Sequence, residues 1–446
     1  MRPQHHRVPR QLFDAVAAGG GGASGVRELA MMQYSKHVLL LYGVLTAAEK
    51  AGRNAWMARQ GYDLLAAVQR HDPPAAEAVI RYPAVGAWAL CTLGALRGDQ
   101  NGSAAQPGRL SAVAAAAAIR AGLPAEIELP VTPGSDTGQH GGTIELPSLG
   151  AASVRGATAT LRIADGRAVV VSEGDVVEVP ADPYQNAPGW RGLHCVQAGA
   201  LSVLIDDLDP FRMPALSNVA PRMSAAQASR EEETLRQAWS LLERHHPASA
   251  AEVAQTVAVV VPLIAAGAEL ASSSSPAAFG AVAMSEPPDP CACAMTLIHE
   301  TAHLKLSALS DVVSLTLPDD GRRFYAPWRP DPRPAGGLLQ GVYAHLAVAG
   351  FWRTQRRICD GVDALRAHAD FARWRDAAAR TSATLLSSGE LTAAGQDFIR
   401  GMTRTLSTWQ AEDVPAEALA LARHEAQQHL ERWQHDNGPL PSWCPV

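Results

Sequence analysis

The residues best suited to chemistry lie in one short stretch, 295–317, which contains an HExxH pentad from His299 to His303. The apolar residues around the pentad are typical of a mostly buried helix. Positions four apart lie on one face of a helix, so His299 and His303 can offer two imidazoles to one metal ion. Glu300 is placed to act on a metal-bound water or to orient a ligand. The sequence predicts a metalloenzyme and leaves the metal and the reaction open.

Two histidines do not complete a metal site, so a third ligand is needed. The metzincin pattern would place a histidine where this chain has Leu309, which excludes that class. The next helix has no glutamate in its central turns, as a gluzincin would require, but it carries His345 on an apolar surface. We favour His345 as the third ligand. Asp311 is the alternative, although eight residues beyond His303 it faces away on a straight helix.

A loop rich in proline and arginine follows the pentad, with the sequence RRFYAPWRPDPRP at 322–334. Arginine binds carboxylates through two parallel hydrogen bonds, and prolines restrict the loop that presents it. The loop therefore suggests an anionic cosubstrate or an acidic peptide as a ligand. The alternative is that these side chains bind carboxylates of the protein and hold the loop in place. The arginines concerned are Arg322, Arg323, Arg329 and Arg333.

The hydrophobic pattern predicts an α+β fold that is predominantly α-helical, with a central β-rich segment and a helical metal-binding domain that carries the pentad. We expect an N-terminal helical region at 1–124, a β-rich segment at 125–215 and a helical catalytic region at 216–446. Alternating apolar residues indicate the strands, and Asp165-Gly166 indicates a hairpin turn. The three aspartates of the acidic run 206–209 could bind a cation, but we expect them to form the solvated end of a strand.

Composition excludes several classes of protein. At 446 residues, with 47% hydrophobic and 18% charged residues, the chain is expected to fold. A net charge of −6 gives no sign of a nucleic-acid-binding surface. The most apolar run, 257–266, is too short for a membrane span, and the N-terminal residues lack an export signal. Six cysteines without a paired framework favour a reducing compartment, so we expect a cytoplasmic protein.

Two segments, IHETAHLKLSALSDVVSL and FYAPWRPDPRPAGGLLQGVYAHLAVAGFW, resemble a bacterial family of HExxH-motif proteins associated with ribosomally made peptide natural products. The resemblance is most specific over 297–352. It implies an iron(II)- and 2-oxoglutarate-dependent hydroxylase that acts on the β-carbon of a residue in a precursor peptide. It also implies other peptide-maturation enzymes as partners.

The resemblance implies a role for each matching residue. His299 and His303 would bind iron with His345 as the third ligand, and Arg329 or Arg333 would hold 2-oxoglutarate. Three histidines depart from the commoner face of two histidines and one carboxylate. Two other classes stay open: a zinc metallopeptidase with Glu300 as general base, and a peptide-binding protein with a structural metal, which we rank last.

Overall fold

The computed structural model describes residues 6–99, 105–133, 141–214, 216–265, 267 and 270–440. The structure is 55% helical and 16% strand. The predicted fold class, α+β and predominantly helical, is confirmed.

Helices dominate both ends of the chain, as the hydrophobic pattern predicts. An alanine-rich helix, α6 (Arg109–Ala121), is followed by Gly122, which has a φ of +59°. The described residues contain α1 Arg10–Ala17, α2 Gly22–Ala51, α3 Ala55–His71, α4 Pro73–Ile80, α5 Pro83–Arg97, α6 Arg109–Ala121, α7 Ala225–His245, α8 Pro247–Thr256, α9 Pro290–Ser310, α10 Ala335–Gln355, α11 Gly361–Ser387, α12 Ala393–Gln410 and α13 Ala416–Asn437.

The strands of the described residues form three sheets. Two are antiparallel, with strand orders β1-β5-β6-β7 and β2-β3-β4-β8, and the third, β12-β13-β11-β10-β9, is mixed. The strands are β1 Ala125–Pro130, β2 Thr132–Pro133, β3 Gly141–Leu146, β4 Gly150–Arg155, β5 Thr158–Ala164, β6 Arg167–Ser172, β7 Asp175–Val179, β8 Trp190–Gly192, β9 His194–Ala198, β10 Leu201–Ile205, β11 Val259–Pro262, β12 Ser272–Ser274 and β13 Ala281–Met284.

The chain divides into two compact units. The first unit comprises Ala30–Arg236 and Val257–Pro287, and its core lies where α6 packs on α3, α4 and strands of the sheets. The second unit comprises His6–Leu29, Gln237–Thr256 and the described residues from Pro288 onward. In the second unit α10 packs on α9 and α11, and α11 packs on α12 and α13. The pentad and the loop at 322–334, called the arginine loop below, both belong to the second unit.

Some strands can be predicted from the sequence because of their turn residues, whereas strands that are fully buried cannot. The predicted hairpin is present between β5 and β6, where Asp165 and Gly166 have φ values of 49° and 73°. The sequence pattern does not indicate β11 and β13, which lie within the region predicted to be helical. Both strands are buried along their whole length and pair in parallel with each other. A strand buried on both faces shows no polar alternation, so its pattern resembles that of a buried helix.

The acidic run 206–209 is not a solvated strand end, and that prediction is wrong. Its three aspartates are buried. Asp207 accepts a hydrogen bond from Arg222 at 2.5 Å, and Asp209 accepts one from Arg109 at 2.5 Å. Burial raises the pKa of Asp209 to about 6, against the lowering effect of Arg109. Asp207 and Asp209 are therefore paired with arginines inside the first unit and do not face solvent.

Within the described residues, no single helix has the length and apolar composition needed to cross a membrane. Only α4 and α5 taken together have them, and that pair is bent by 64°. The most apolar run of the sequence contains β11, a strand of the first unit.

Candidate metal centre

The pentad lies in the middle of α9, where both flanks are regular helix. The side chain of Asp289 caps the start of α9 by accepting a hydrogen bond from the backbone of Ala292 at 2.8 Å, and Pro290 takes the first helical position. The helix ends at Ser310, seven residues after His303. Because the pentad is about two turns from either end of α9, its four-residue spacing is that of a regular helix.

The two histidines of the pentad converge on one point. Nε2 of His299 and Nε2 of His303 are 3.2 Å apart, and their ring centroids are 4.8 Å apart. Two nitrogens bound to one ion at about 2.1 Å, with an angle of about 90–110° between them, lie about 3.0–3.4 Å apart. The observed separation fits this range. It also fits a single N–H···N hydrogen bond between the rings.

A neighbouring glutamine selects the form of His303 that binds metals. Nδ1 of His303 lies 3.1 Å from Oε1 of Gln340 on α10. That oxygen only accepts, so Nδ1–H donates, and the lone pair of the neutral ring is on Nε2. Nε2 is the atom that faces His299. Gln340 is itself held by a hydrogen bond from its Nε2 to Oγ of Ser307 at 3.3 Å. An orienting hydrogen bond of this kind is usual for a metal-binding histidine.

His345 lies beside this pair on α10. Its ring centroid is 5.3 Å from that of His299. Its Nδ1–H donates to the carbonyl of Gly341 at 2.8 Å, which again leaves the lone pair on Nε2. The ring is stacked on Trp328, with centroids 4.3 Å apart, and is 4.8 Å from the Trp374 ring. Two tryptophans therefore hold His345 in one orientation.

Burial favours the neutral form of His299 and of His345. It lowers the pKa of His299 to about 4, and the neighbouring His303 adds to the effect. Burial also lowers the pKa of His345 well below its usual value, and His299 contributes. At neutral pH both rings then carry a free lone pair, which is the form that binds a metal.

The alternative third ligand, Asp311, lies just past the end of α9 and is exposed. His345, by contrast, is buried next to His299. Among the described residues, no group of three or more His, Cys, Asp or Glu side chains is arranged to hold a metal ion. The structure thus brings together the histidine pair and places His345, not Asp311, beside it.

Glu300 is buried, with 2% of its surface exposed. Its Oε1 lies 3.9 Å from Nε2 of His299. A carboxylate at this distance can contact a water or a ligand held by the histidine pair. The position suits a general base as well as a residue that orients a ligand.

The loop arginines all contact carboxylates of the protein. Arg329 and Arg333 share Asp331, at 2.8 Å and 3.0 Å. Arg322 contacts Asp320 and Glu390, and Arg323 contacts Asp319 at 2.9 Å. The loop is closed by a backbone bridge between Phe324 and Arg333. These ion pairs match the alternative in which arginines hold the loop, and they also show two guanidinium groups binding one carboxylate.

Three residues of the site were not singled out from the sequence: Gln340, Trp328 and Trp374. Gln340 has no motif around it, and its role appears only when α10 packs on α9. Trp328 lies in the arginine loop, where an aromatic residue next to prolines is the one available signal. Trp374 lies far along the chain in α11, with no local feature to indicate it.

A scan against protein-family models and a search of curated proteins found no match for this chain.

Proposed function

We propose that this protein is an iron(II)- and 2-oxoglutarate-dependent hydroxylase that acts on the β-carbon of a residue in a ribosomally made precursor peptide. The observation that carries the metal site is the convergence of Nε2 of His299 and Nε2 of His303 at 3.2 Å, with Gln340 selecting the tautomer. The choice of iron and 2-oxoglutarate rests on the resemblance.

In this proposal His299 and His303 would hold the iron as neutral rings, and His345, whose ring lies 5.3 Å from that of His299, would complete the ligand set by moving towards the pair. A face of three protein ligands leaves positions open for a cosubstrate and dioxygen. Iron with 2-oxoglutarate and dioxygen supplies the oxidising chemistry, in which one oxygen atom enters the C–H bond of the peptide and the other enters succinate as carbon dioxide leaves. Glu300 orients a ligand or carries a proton, and Trp328 and Trp374 exclude water from the His345 side.

Arg329 and Arg333 are the candidates for binding 2-oxoglutarate. They already hold the carboxylate of Asp331 between them, and both are partly exposed. A 2-oxoglutarate carboxylate would make the same contacts after displacing Asp331 from one of the two arginines. Binding of 2-oxoglutarate therefore requires its carboxylate to replace that of Asp331 on one of the two arginines.

A zinc metallopeptidase is the second candidate. The observation that favours it is Glu300, whose Oε1 lies 3.9 Å from Nε2 of His299. In a peptidase the same carboxylate is the general base that deprotonates a zinc-bound water. This reading needs no role for the arginine loop.

The deciding experiment is anaerobic reconstitution of the protein with ferrous iron and 2-oxoglutarate, followed by ultraviolet–visible spectroscopy. We expect a weak absorption band at about 500 nm from 2-oxoglutarate chelated to iron. The His299→Ala variant should lose the band. If the wild-type protein shows no band, retains zinc and cleaves peptides, the peptidase is correct and the hydroxylase is not.

The arginine assignment has its own control. Arg329→Gln and Arg333→Gln should each raise the 2-oxoglutarate concentration at which the band reaches half of its maximum, whereas Arg322→Gln should leave that concentration unchanged.

The proposed partners are the precursor peptide and other maturation enzymes. A cytoplasmic location is part of the proposal, and the five free cysteines of the described residues agree with it; Cys444 lies outside those residues.

A further inference from the structure

A cleft of about 570 Å³ lies in the second unit, between α11 and α13. Gln410, the last residue of α12, and Tyr325 of the arginine loop complete its wall. It is distinct from the histidine pair, which does not line it.

The cleft carries positive charge that the protein leaves unneutralised. Arg373 in its wall donates to Glu425 at 2.8 Å, and Asp376 accepts from Arg375 at 2.9 Å. Arg380 on α11 and Arg423 on α13 also line the cleft, and both are exposed. Across the described part of the chain neither Arg380 nor Arg423 forms an ion pair. Two guanidinium groups therefore remain available to carboxylates of a ligand.

The shape of the cleft fits an extended chain. Its α13 wall runs from Leu419 through Ala422 and Ala426 to Leu430, residues that share one face of the helix. Eleven residues of helix span about 16 Å. An extended peptide advances about 3.3 Å per residue, so about five residues would follow this wall.

The cleft is one side chain away from the candidate metal centre. The guanidinium of Arg373 lies over the Trp374 ring, with 4.5 Å between Cζ and the ring centroid. Trp374 also lies 4.8 Å from His345, measured between ring centroids. Tyr325 in the cleft wall and Trp328, which stacks on His345, belong to the same loop. The cleft is therefore separated from His345 by the side chains of Arg373 and Trp374.

We propose that this cleft binds a carboxylate-bearing segment of a peptide, with Arg380 and Arg423 binding the carboxylates and the apolar face of α13 packing against the remaining side chains. The inference rests on the proposed function in that it takes the ligand to be the peptide substrate. The binding itself requires neither metal nor cosubstrate.

The test uses the full-length protein without added metal and a short fluorescein-labelled peptide of alternating glutamate and leucine. Fluorescence anisotropy measures its affinity. We expect binding that weakens with added salt, because the two arginines are exposed. The variant Arg380→Glu/Arg423→Glu should bind about tenfold more weakly, because like charges then face each other. Arg432→Glu, an exposed change on α13 outside the cleft, should bind as the wild type does.

Four results would overturn the proposal: no binding by the wild-type protein, equal binding of a peptide with glutamine in place of glutamate, equal loss of affinity in Arg432→Glu, or displacement of the peptide by succinate, which would indicate a small-molecule site. Because the assay contains no iron, it separates the two proposals. Binding without hydroxylation contradicts only the proposed function, and hydroxylation with unchanged binding in the double variant contradicts only the role of the cleft.

Discussion

Replacing Gln340 tests whether the histidine pair is a metal site. In the structure, Oε1 of Gln340 accepts the Nδ1–H of His303 at 3.1 Å, which leaves the lone pair of His303 on Nε2. Gln340→Leu removes this acceptor while keeping a side chain of similar size. The ring is then free to rotate or to adopt the other tautomer, so metal binding has to restore the orientation. Loss of such a contact typically costs a metal site about 10–100-fold in affinity.

The geometry places the expected effect at the lower end of that range. The contact is one neutral hydrogen bond, worth about 1–1.5 kcal/mol net, so we expect an affinity loss of about five- to tenfold. Gln340→Glu should act in the opposite direction. A carboxylate makes a bond roughly twice as strong and raises the basicity of the ring, so this variant should bind metal more tightly than the wild type.

The assay is competition for Zn²⁺ between the metal-free protein and a chromophoric chelator at fixed pH. Ser307→Ala is the matched control, since it removes only the 3.3 Å contact that Gln340 makes on its other side. Circular dichroism checks that each variant is folded. If Gln340→Leu binds metal as tightly as the wild type, or if Gln340→Glu binds more weakly than Gln340→Leu, the assignment of His303 Nε2 as a ligand atom is refuted.

Three further predictions concern the packing around the site. Lys305, with its side chain 3% exposed, forms a buried ion pair with Glu252 at 2.5 Å; Lys305→Met should lower the urea midpoint of unfolding by the equivalent of about 3–5 kcal/mol, and adding Glu252→Met should recover part of the loss. An additive double variant would contradict the pairing. Burial lowers the pKa of His246 to about 4, so the unfolded chain takes up a proton first as the pH falls through about 6.5, and stability is lost between about pH 6.5 and 4, by roughly 2 kcal/mol at pH 5. His246→Phe should remove this part of the pH dependence in urea titrations, and an unchanged pH dependence would count against a buried neutral ring. Gly341→Ala would place a methyl group 2.4 Å from Nε1 of Trp328; we expect the indole to leave His345, with a changed near-ultraviolet circular dichroism spectrum, whereas an unchanged spectrum would show that the stack tolerates the methyl group.

Local physics explains what the sequence alone determined. The helix that carries His299 and His303 follows from its apolar pattern, and the four-residue spacing sets both rings on one face whatever surrounds the helix. The hairpin at Asp165 and Gly166 follows in the same way, since two adjacent positive φ values demand such residues. These features depend on neighbours within a few residues of each other, so the sequence could specify them.

The strands β11 and β13 depend instead on burial. Their residues are apolar on both faces because these two strands are buried along their whole length, and nothing in a fully apolar run separates a strand from a helix. The burial of the acidic run 206–209 could not be predicted from the sequence either, because it depends on pairing with arginines elsewhere in the chain. Arg109 lies about a hundred residues away in sequence from Asp209, and that pairing is what allows the aspartate to be buried.

The rest of the candidate site was decided by tertiary structure for the same reason. His345 could be nominated from its helix, but only the packing of α10 on α9 sets its ring 5.3 Å from that of His299. The same packing brings Gln340 to Nδ1 of His303, and α11 supplies Trp374. A helix specifies which of its own residues share a face. The residues that orient and enclose a metal site come from other elements, and their identity is decided by contacts between segments that are distant in sequence.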